Sequence, residues 1–244
     1  DVKVDYGDID DGDDGEDEDI VIVPKTTFTT EIFGDAQYDK EYAEEGIIAE
    51  DGKYVFARNI TINTSSAFVN ETGDKYYGSI TNYDCNDYNV EGTGNTHIDM
   101  NGNNLTINTT VAQTGTEPKT YGAGIYAVKQ GDIIIDNPGA ININSNVSYC
   151  YGAGIKAGTT VKDQVARVII NNDNTTAHAV KIRGGMTSGD DNAMNFSGIN
   201  TNNNNEVHIK GLADIETNKA VNMWANGGLI DVGVIVTRSE NLNE

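Results

Sequence analysis

The sequence predicts an all-β fold, specifically a right-handed parallel β-helix (β-solenoid) with an N-terminal capping segment. One observation is a recurrence: residues 121–125 read Tyr-Gly-Ala-Gly-Ile, and residues 151–155 repeat them 30 positions later. A second is that short apolar segments separated by turn residues lie between the two copies. The third is composition, with 30 Asn, 27 Gly and 3 Pro in 244 residues, which favours tight turns and stacked polar ladders over long helices. Recurrence at this spacing is typical of a chain that stacks on itself.

The repeat unit divides into three strands, which we predict at residues 122–127, 132–136 and 140–144. Turn residues such as Gly131 and the Asn-Pro-Gly at 137–139 separate them. The small residues of the first strand would let the other two place isoleucines across a narrow core. We therefore expect the repeat positions to stack coil upon coil, with the two isoleucines pointing inward; these positions are Tyr121, Ala123, Ile125, Tyr151, Ala153 and Ile155. Looser echoes of the repeat lie at residues 179–182 and 220–223.

The chain divides into four consecutive segments. Residues 1–19 carry 11 carboxylates and one Lys, so this run lacks the apolar content to fold alone. Residues 20–52 are predicted to supply an N-terminal strand and a cap. Residues 53–236 are predicted to form the β-helix of six or seven coils, with loop insertions near 65–95 and 186–205, and residues 237–244 a polar tail. Within the β-helix, Asn101-Gly102 indicates a tight turn between two alternating strands.

An apolar arm follows the acidic run: Ile20, Val21, Ile22 and Val23, closed by Pro24. The open end of a β-helix presents unpaired backbone groups, which an extended strand can complete. The arm could pair with the first coil of its own chain. It could instead add to a neighbouring molecule and build a head-to-tail homopolymer, since such a contact does not close.

The formal charge of −22 argues against nucleic acid or an anionic membrane as the partner. No apolar stretch reaches 18 residues, so no direct membrane insertion through a helix is expected. Cys85 and Cys150 lie close to two coils apart, about 9.6 Å along the stack, which exceeds the usual reach of a disulfide. A bond between them would require Cys85 to lie on a protruding loop, and the sequence leaves this open.

Residues 98–107, the Gly-Ala-Gly-Ile segments and residues 178–185 together resemble the passenger region of bacterial autotransporters, over roughly residues 53–236. The resemblance implies a right-handed β-helix of the adhesin type, extracellular on the surface of a Gram-negative bacterium and associated with its outer membrane. It further implies a non-enzymatic adhesin or structural fibre subunit. Its partners would be proteins or glycans on a host or neighbouring cell.

The alternative is a polysaccharide-degrading lyase or glycoside hydrolase on a similar β-helix, which would need several acids and a base on neighbouring coils. The candidate carboxylates are Asp99, Asp132, Asp136, Asp173, Asp214 and Asp231. Asp132 and Asp136 share one face, but about 13 Å of strand separates them, too wide for a glycosidase pair. No acidic cluster accompanies Arg58, Arg167 or Arg183 in the sequence, and His97, His178 and His208 are isolated. We therefore expect no catalytic residues, no enzymatic activity and no bound cofactor.

Calcium is the one metal that the sequence leaves open. Asp8, Asp10 and Asp14 are spaced like oxygen ligands of a loop, but Gly12 occupies a ligand position and the final Glu of an EF-hand is missing. Both a diffuse calcium-binding tail and a purely solvating tail fit this segment.

Overall fold

A computed structural model describes residues 20–22, 46–50, 53–64, 68–69, 75–82, 94–112, 120–148, 151–159, 163–172, 179–188, 196–218 and 221–240. Every regular element in these ranges is a β-strand, and no helix occurs in them. Most strand pairs are parallel. The prediction of an all-β fold is therefore confirmed.

The eighteen strands follow one another along the chain as β1 (Ile20–Ile22), β2 (Ile47–Glu50), β3 (Lys53–Phe56), β4 (Ile60–Thr64), β5 (Phe68–Val69), β6 (Lys75–Thr81), β7 (Thr96–Asp99), β8 (Leu105–Ala112), β9 (Thr120–Ala127), β10 (Gly131–Asp136), β11 (Ile141–Ser148), β12 (Tyr151–Ala157), β13 (Ala166–Asn171), β14 (Val180–Ser188), β15 (Phe196–Asn202), β16 (Glu206–Asn218), β17 (Val221–Asn226) and β18 (Leu229–Glu240). The strands predicted within the repeat unit coincide with β9, β10 and the first half of β11.

Three parallel ladders organise these strands. The first ladder contains β3, β7, β10, β13 and the N-terminal parts of β16 and β18. The second ladder contains β4, β8, β11, β14 and the C-terminal parts of β16 and β18. The third ladder contains β6, β9, β12, β15 and β17. Because β16 and β18 each run through two ladders, the first two ladders join into one twelve-stranded sheet.

Over the described residues, the chain visits the first, second and third ladders in the same order five times, and β18 then extends the first two. This is fewer repeats than the six or seven that we predicted. Register partners in the third ladder lie at positions 80, 125, 155, 199 and 223, so successive steps span 45, 30, 44 and 24 residues. The 30-residue spacing thus holds for one step only, because the segments that connect the strands differ in length.

Alternate residues of the strands build one core shared by the three ladders. In β10 and β13, for example, buried and half-buried residues alternate strictly, as expected for strands with one face turned inward. Ile155 is the register partner of Ile125, and both side chains are fully buried. Ala153 likewise lies on Ala123, and both are fully buried.

Glycine is required in the third ladder by its close approach to the second. A Cβ on Gly154 would lie 2.4 Å from Cγ2 of Ile182, and a Cβ on Gly198 would lie 2.4 Å from Cγ2 of Ile215. The same relation holds one repeat earlier, where Gly124 faces Ile143 at 2.7 Å. The second glycine of Gly-Ala-Gly-Ile therefore leaves the space that the isoleucines of the opposite ladder fill.

Asparagine turns connect the first ladder to its neighbours. Asn101 and Gly102 have φ of 48° and 81° and form the tight turn between β7 and β8 that the sequence predicted. Asn137, in the next repeat, has φ of 48°, and its carbonyl accepts a hydrogen bond from the Gly102 backbone N–H at 2.8 Å. Asparagine tolerates this left-handed conformation better than most residues, which explains its abundance here.

Several predictions of loops and boundaries were wrong. The insertion predicted near 65–95 contains β6, which pairs in register with β9, and the insertion predicted near 186–205 contains β15, which pairs with β12 and β17. Tyr77 in β6 and Phe196 in β15 are the register partners of Gly122 and Gly152, so these strands do not display the Gly-Ala-Gly pattern in sequence. The predicted tail at 237–244 is also wrong in part, because β18 extends to Glu240.

The two looser echoes belong to different ladders. Residues 180–182 lie in β14 and pair with β11, so this echo is not equivalent to the Tyr-Gly-Ala-Gly-Ile repeat. Val221 and Met223 in β17 pair with Ser197 and Ile199, so the second echo does belong to the third ladder. The strand that follows the repeat in space is β15, whose sequence similarity to β12 is confined mainly to Gly198 and Ile199.

Short strands border all three ladders on the N-terminal side. β1 pairs in parallel with β4, so that Ile20 and Ile22 are the register partners of Ile60 and Ile62. β2 pairs antiparallel with β3, and β5 pairs antiparallel with β6.

Asp8, Asp10, Asp14, Val23, Cys85, Cys150, Asp173 and His178 lie outside the described residues. The calcium, disulfide and acidic-tail hypotheses therefore stay predictions. In the part of the chain that the structure describes, no helix has the length and apolar character needed to cross a membrane.

Candidate functional site

The outward side of the first ladder gathers most of the carboxylates that we considered from sequence. Asp136 is the register partner of Asp99, which places two acids on adjacent strands about 4.8 Å apart along the stack. Both follow buried isoleucines, Ile98 and Ile135, so strand alternation turns the acids outward. Asp132 lies on the same side of β10, four residues before Asp136, as the sequence predicted.

Asp99 is held by three hydrogen bonds. Lys53 Nζ donates to Oδ2, while Asn137 Nδ2 and the Asn101 backbone N–H each donate to Oδ1 at 3.0 Å. Partial burial raises the pKa of Asp99, but the hydrogen bonds and the charge of Lys53 outweigh it and hold the pKa below its usual range. Asp99 is therefore ionised at neutral pH.

Asp136 links three strands. Its Oδ2 lies 2.6 Å from His97 Nε2 on β7, and its Oδ1 accepts a hydrogen bond from Asn171 Nδ2 on β13 at 2.7 Å. His97 is isolated in the sequence, but the ladder supplies its acidic partner 39 residues away.

Arg167 on β13 pairs with Asp132 on β10 through two hydrogen bonds, from Nε at 2.6 Å and from Nη2 at 3.3 Å. The hydrogen bonds and charge of Asp132 raise the pKa of Arg167 further above its already high value. Two more contacts continue toward the C-terminal side: His208 Nε2 lies 2.8 Å from Glu206 Oε2, and His208 Nδ1 lies 3.5 Å from Asp231 Oδ2.

A second charged cluster lies on the outward side of the second ladder and contains Arg183, Asp214, Glu216 and Arg238. Arg183 contacts Asp214 at 3.0 Å and Glu216 at 3.2 Å, and Arg238 contacts the same two acids from the other side. Burial raises the pKa of Asp214, but hydrogen bonds from Arg183 and Arg238 outweigh it, so the pKa lies below its usual range. The sequence hid this cluster because its members come from three different strands.

An asparagine ladder precedes this cluster on the same side of the second ladder. Asn108 Nδ2 donates to Asn63 Oδ1 at 2.9 Å, and Asn144 Nδ2 donates to Asn108 Oδ1 at 2.8 Å. The register continues the column through Arg183, the partner of Asn144 on the next strand. This column is an instance of the stacked polar ladders that the composition predicted.

Lys156 is a functional candidate that the sequence reasoning missed. Its Nζ lies 5.1 Å from the centroid of the Tyr126 ring, and burial lowers the pKa of Lys156 from 10.5 to about 8. The repeat could have indicated this contact, because Lys156 and Tyr126 occupy the same position in its two copies and are register partners.

Chemically, these surfaces are built from paired groups. Asp99, Asp132, Asp136 and Asp214 each contact a base or an amide of a neighbouring strand. Asp99 and Asp214 are poor proton donors at neutral pH because their pKa values are lowered. The described residues contain no group of three or more His, Cys, Asp or Glu side chains arranged to hold a metal ion.

Comparison with known proteins gives no relative: the chain matches no protein-family model, no curated protein and no solved structure.

Proposed function

We propose that residues 53–240 form a right-handed parallel β-helix, capped by residues 20–52, in a non-enzymatic protein of the bacterial cell surface or extracellular space. The repeated ladder order and the columns of register-paired isoleucines support the β-helix. Right-handedness is supported by the strong preference of parallel crossover connections for that hand. The parallel pairing of β1 with β4 supports the arm as a cap on its own chain.

Within this proposal the protein acts as an adhesin or a structural fibre subunit, as its resemblance to autotransporter passengers implies. The observation that carries the proposal is the pairing of outward acids with bases from other strands: Asp99 with Lys53, Asp132 with Arg167, and Asp214 with Arg183. Such pairs hold neighbouring strands together and leave a rigid polar surface for contact with proteins or glycans on a host or neighbouring cell. A net charge of −22 favours neutral or basic partner surfaces over nucleic acid or anionic lipid.

A polysaccharide-degrading enzyme is the second candidate, favoured by the adjacent Asp99 and Asp136 with His97 beside them. Strand spacing places the two acids near the separation of about 5 Å that retaining glycosidases use. Because the pKa of Asp99 is lowered by hydrogen bonds from Lys53 and Asn137, Asp99 could serve only as the ionised member of such a pair. The oxygens of both acids are already engaged, those of Asp99 by Lys53 and Asn137 and those of Asp136 by His97 and Asn171, which fits a structural role better.

We predict no cleavage of neutral or acidic polysaccharides by the purified protein. The measurement is release of reducing ends and of unsaturated products across a panel of both substrate types. The matched control is Asp136→Asn, which removes the carboxylate charge and keeps the side-chain size. Cleavage that is present in the unmodified protein and lost in Asp136→Asn would establish the enzyme instead.

Binding provides the positive test. Labelled protein applied to a glycan array and to intact cells should bind in its folded form and lose binding after thermal unfolding. Failure to bind any glycan, protein or cell surface would argue against an adhesin and leave the structural role.

A further inference from the structure

The two ends of the ladders differ in how their edges are covered. On the N-terminal side, short strands of three, four and two residues lie on the three ladders, and two of them run antiparallel to the stack. On the C-terminal side, β17 and the twelve-residue β18 have no further partner strand among the described residues. A long edge strand with free N–H and C=O groups is a template for pairing with another chain, whereas short and antiparallel strands blunt an edge.

The same open edge carries the exposed apolar surface. Among the residues whose side-chain exposure the structure describes, the exposed large hydrophobic ones all lie on β17 or β18; these are Met223, Leu229, Val234, Ile235 and Val236. Met223 and Ile235 continue columns whose previous members, Ile199 and Ala213, are fully buried. A further layer of chain would bury them in the same way.

We propose that two copies of this chain associate tail to tail, with β18 of one copy antiparallel to β18 of the other across a twofold axis. Asp231 of each copy then lies opposite Arg238 of the other. A twofold contact uses one patch twice, so an apolar edge with both charge signs is self-complementary.

The register follows from full overlap of the two strands. In an antiparallel pair, one residue number rises as its partner's falls, so all opposite residues have the same sum of numbers. Pairing Leu229 with Glu240 sets this sum to 469, which places Val232 opposite Thr237 and Asp231 opposite Arg238. Side-chain direction agrees with this register. Val232 and Thr237 lie on the buried Ile209 and Ile215, so both belong to inward columns.

Charge selects this register over its neighbours. Because side chains alternate, the pairing can shift only in steps of two, which would place Asp231 opposite Val236 or Glu240 and lose the ion pair. Both charged side chains are accessible beside the edge, since the Asp231 side chain is 70% exposed and that of Arg238 is 48% exposed.

The charge distribution also selects this pair of ends. Residues 1–50 contain 18 acids and 3 bases, a net charge of −15, which leaves −7 for the other 194 residues. Contact between two N-terminal sides would bring together the two copies of β1, to which residues 1–19 are joined directly along the chain. The tail-to-tail contact instead lies on the side of the ladders opposite to β1, and salt screens charges farther apart than about 8 Å at physiological ionic strength.

The test is a charge exchange measured by sedimentation velocity. The unmodified chain should pass from 26.2 kDa to twice that mass as its concentration rises. Arg238→Asp alone and Asp231→Arg alone should each weaken the dimer at least tenfold, because they oppose like charges. An equimolar mixture of the two variants should recover it, since each copy then supplies the charge that the other lacks.

Two controls keep the result interpretable. Lys181→Asp makes the same charge change on an exposed residue of β14 and should leave the dimer unchanged. Circular dichroism of each variant checks folding, and Asp231→Arg stands as the second variant if Arg238→Asp loses its fold with its Asp214 and Glu216 contacts. A monomer at all concentrations, masses that grow beyond a dimer, or a mixture that stays monomeric would overturn the proposal.

Discussion

At the scale of single residues, the space beside the second ladder limits the size of side chains in the third ladder. Positions 154 and 198 hold glycine because the isoleucines of β14 and β16 occupy the volume that a larger side chain would need. Thr201 lies on Ala157 in the same ladder, and its fully buried hydroxyl has no hydrogen-bond partner among the described residues. Lys156, by contrast, is a charged residue that replaces an aromatic one on the outer column of the ladder.

Lys156 should make stability depend on pH in the alkaline range. Its pKa is about 8 in the fold and 10.5 in the unfolded chain. The unfolded chain therefore binds more protons between these values, and stability rises with pH across that window. Below about pH 8 the cost of burying the charge is fully present.

We predict that Lys156→Met raises the free energy of unfolding at pH 7 by about 1 to 2 kcal/mol, because it keeps the side-chain length and removes a half-buried charge. It should also abolish the rise in stability from pH 8 to pH 10.5. Urea unfolding at pH 7, 8 and 10.5 measures both effects. Lys181→Met, at an exposed lysine, is the control. A loss of stability would mean that the contact with the Tyr126 ring outweighs the burial.

At the scale of elements, the second ladder is held on its outer side by a polar column as well as by backbone pairing. Asn108 is the middle member: it donates to Asn63 and accepts from Asn144. Replacing it interrupts both hydrogen bonds and leaves the amides of two neighbouring strands without this partner.

We predict that Asn108→Ala lowers the free energy of unfolding by about 1 to 3 kcal/mol, because it removes two hydrogen bonds worth about 1 kcal/mol each. The range allows for solvent reaching the half-buried amides of Asn63 and Asn144. Asn142→Ala is the matched control, since Asn142 lies on the adjacent strand, outside the column. Chemical denaturation of both variants gives the comparison. Equal effects in the two variants would show that the column adds nothing beyond the backbone ladder.

At the scale of the whole molecule, charge opposes folding more than it supports it. The net charge is −22, while the described ion pairs are partly exposed and worth about 1 kcal/mol or less each. Salt screens the repulsion and the ion pairs alike, but the repulsion acts among many more charges.

We therefore predict that the melting temperature rises as sodium chloride is added, since screening relieves repulsion. Changing Asp8, Asp10 and Asp14 together to Asn reduces the net charge to −19 and should make the melting temperature less sensitive to salt. Differential scanning calorimetry at low and high ionic strength measures the effect. A melting temperature that falls with salt would instead show that the ion pairs stabilise the fold more than the repulsion destabilises it.

Local sequence patterns predicted much of the fold. Period-two alternation marked the isoleucine strands, Asn101-Gly102 marked a turn, and the Tyr-Gly-Ala-Gly-Ile recurrence marked two strands that are register partners in the structure. These features depend on neighbours within a few residues, so the sequence alone determined them. It also determined the all-β class and the acidic character of the N-terminal segment.

The tertiary structure alone decided which strands lie together. Register partners are separated by up to 45 residues, and connections of unequal length leave no constant period to read. Asp214 therefore meets Arg183 and Arg238, and β6 and β15 join a ladder that their aromatic residues concealed. Stacking fixes these contacts because each strand must match the side-chain direction of the strand beneath it, a condition that acts across space and leaves little trace along the chain.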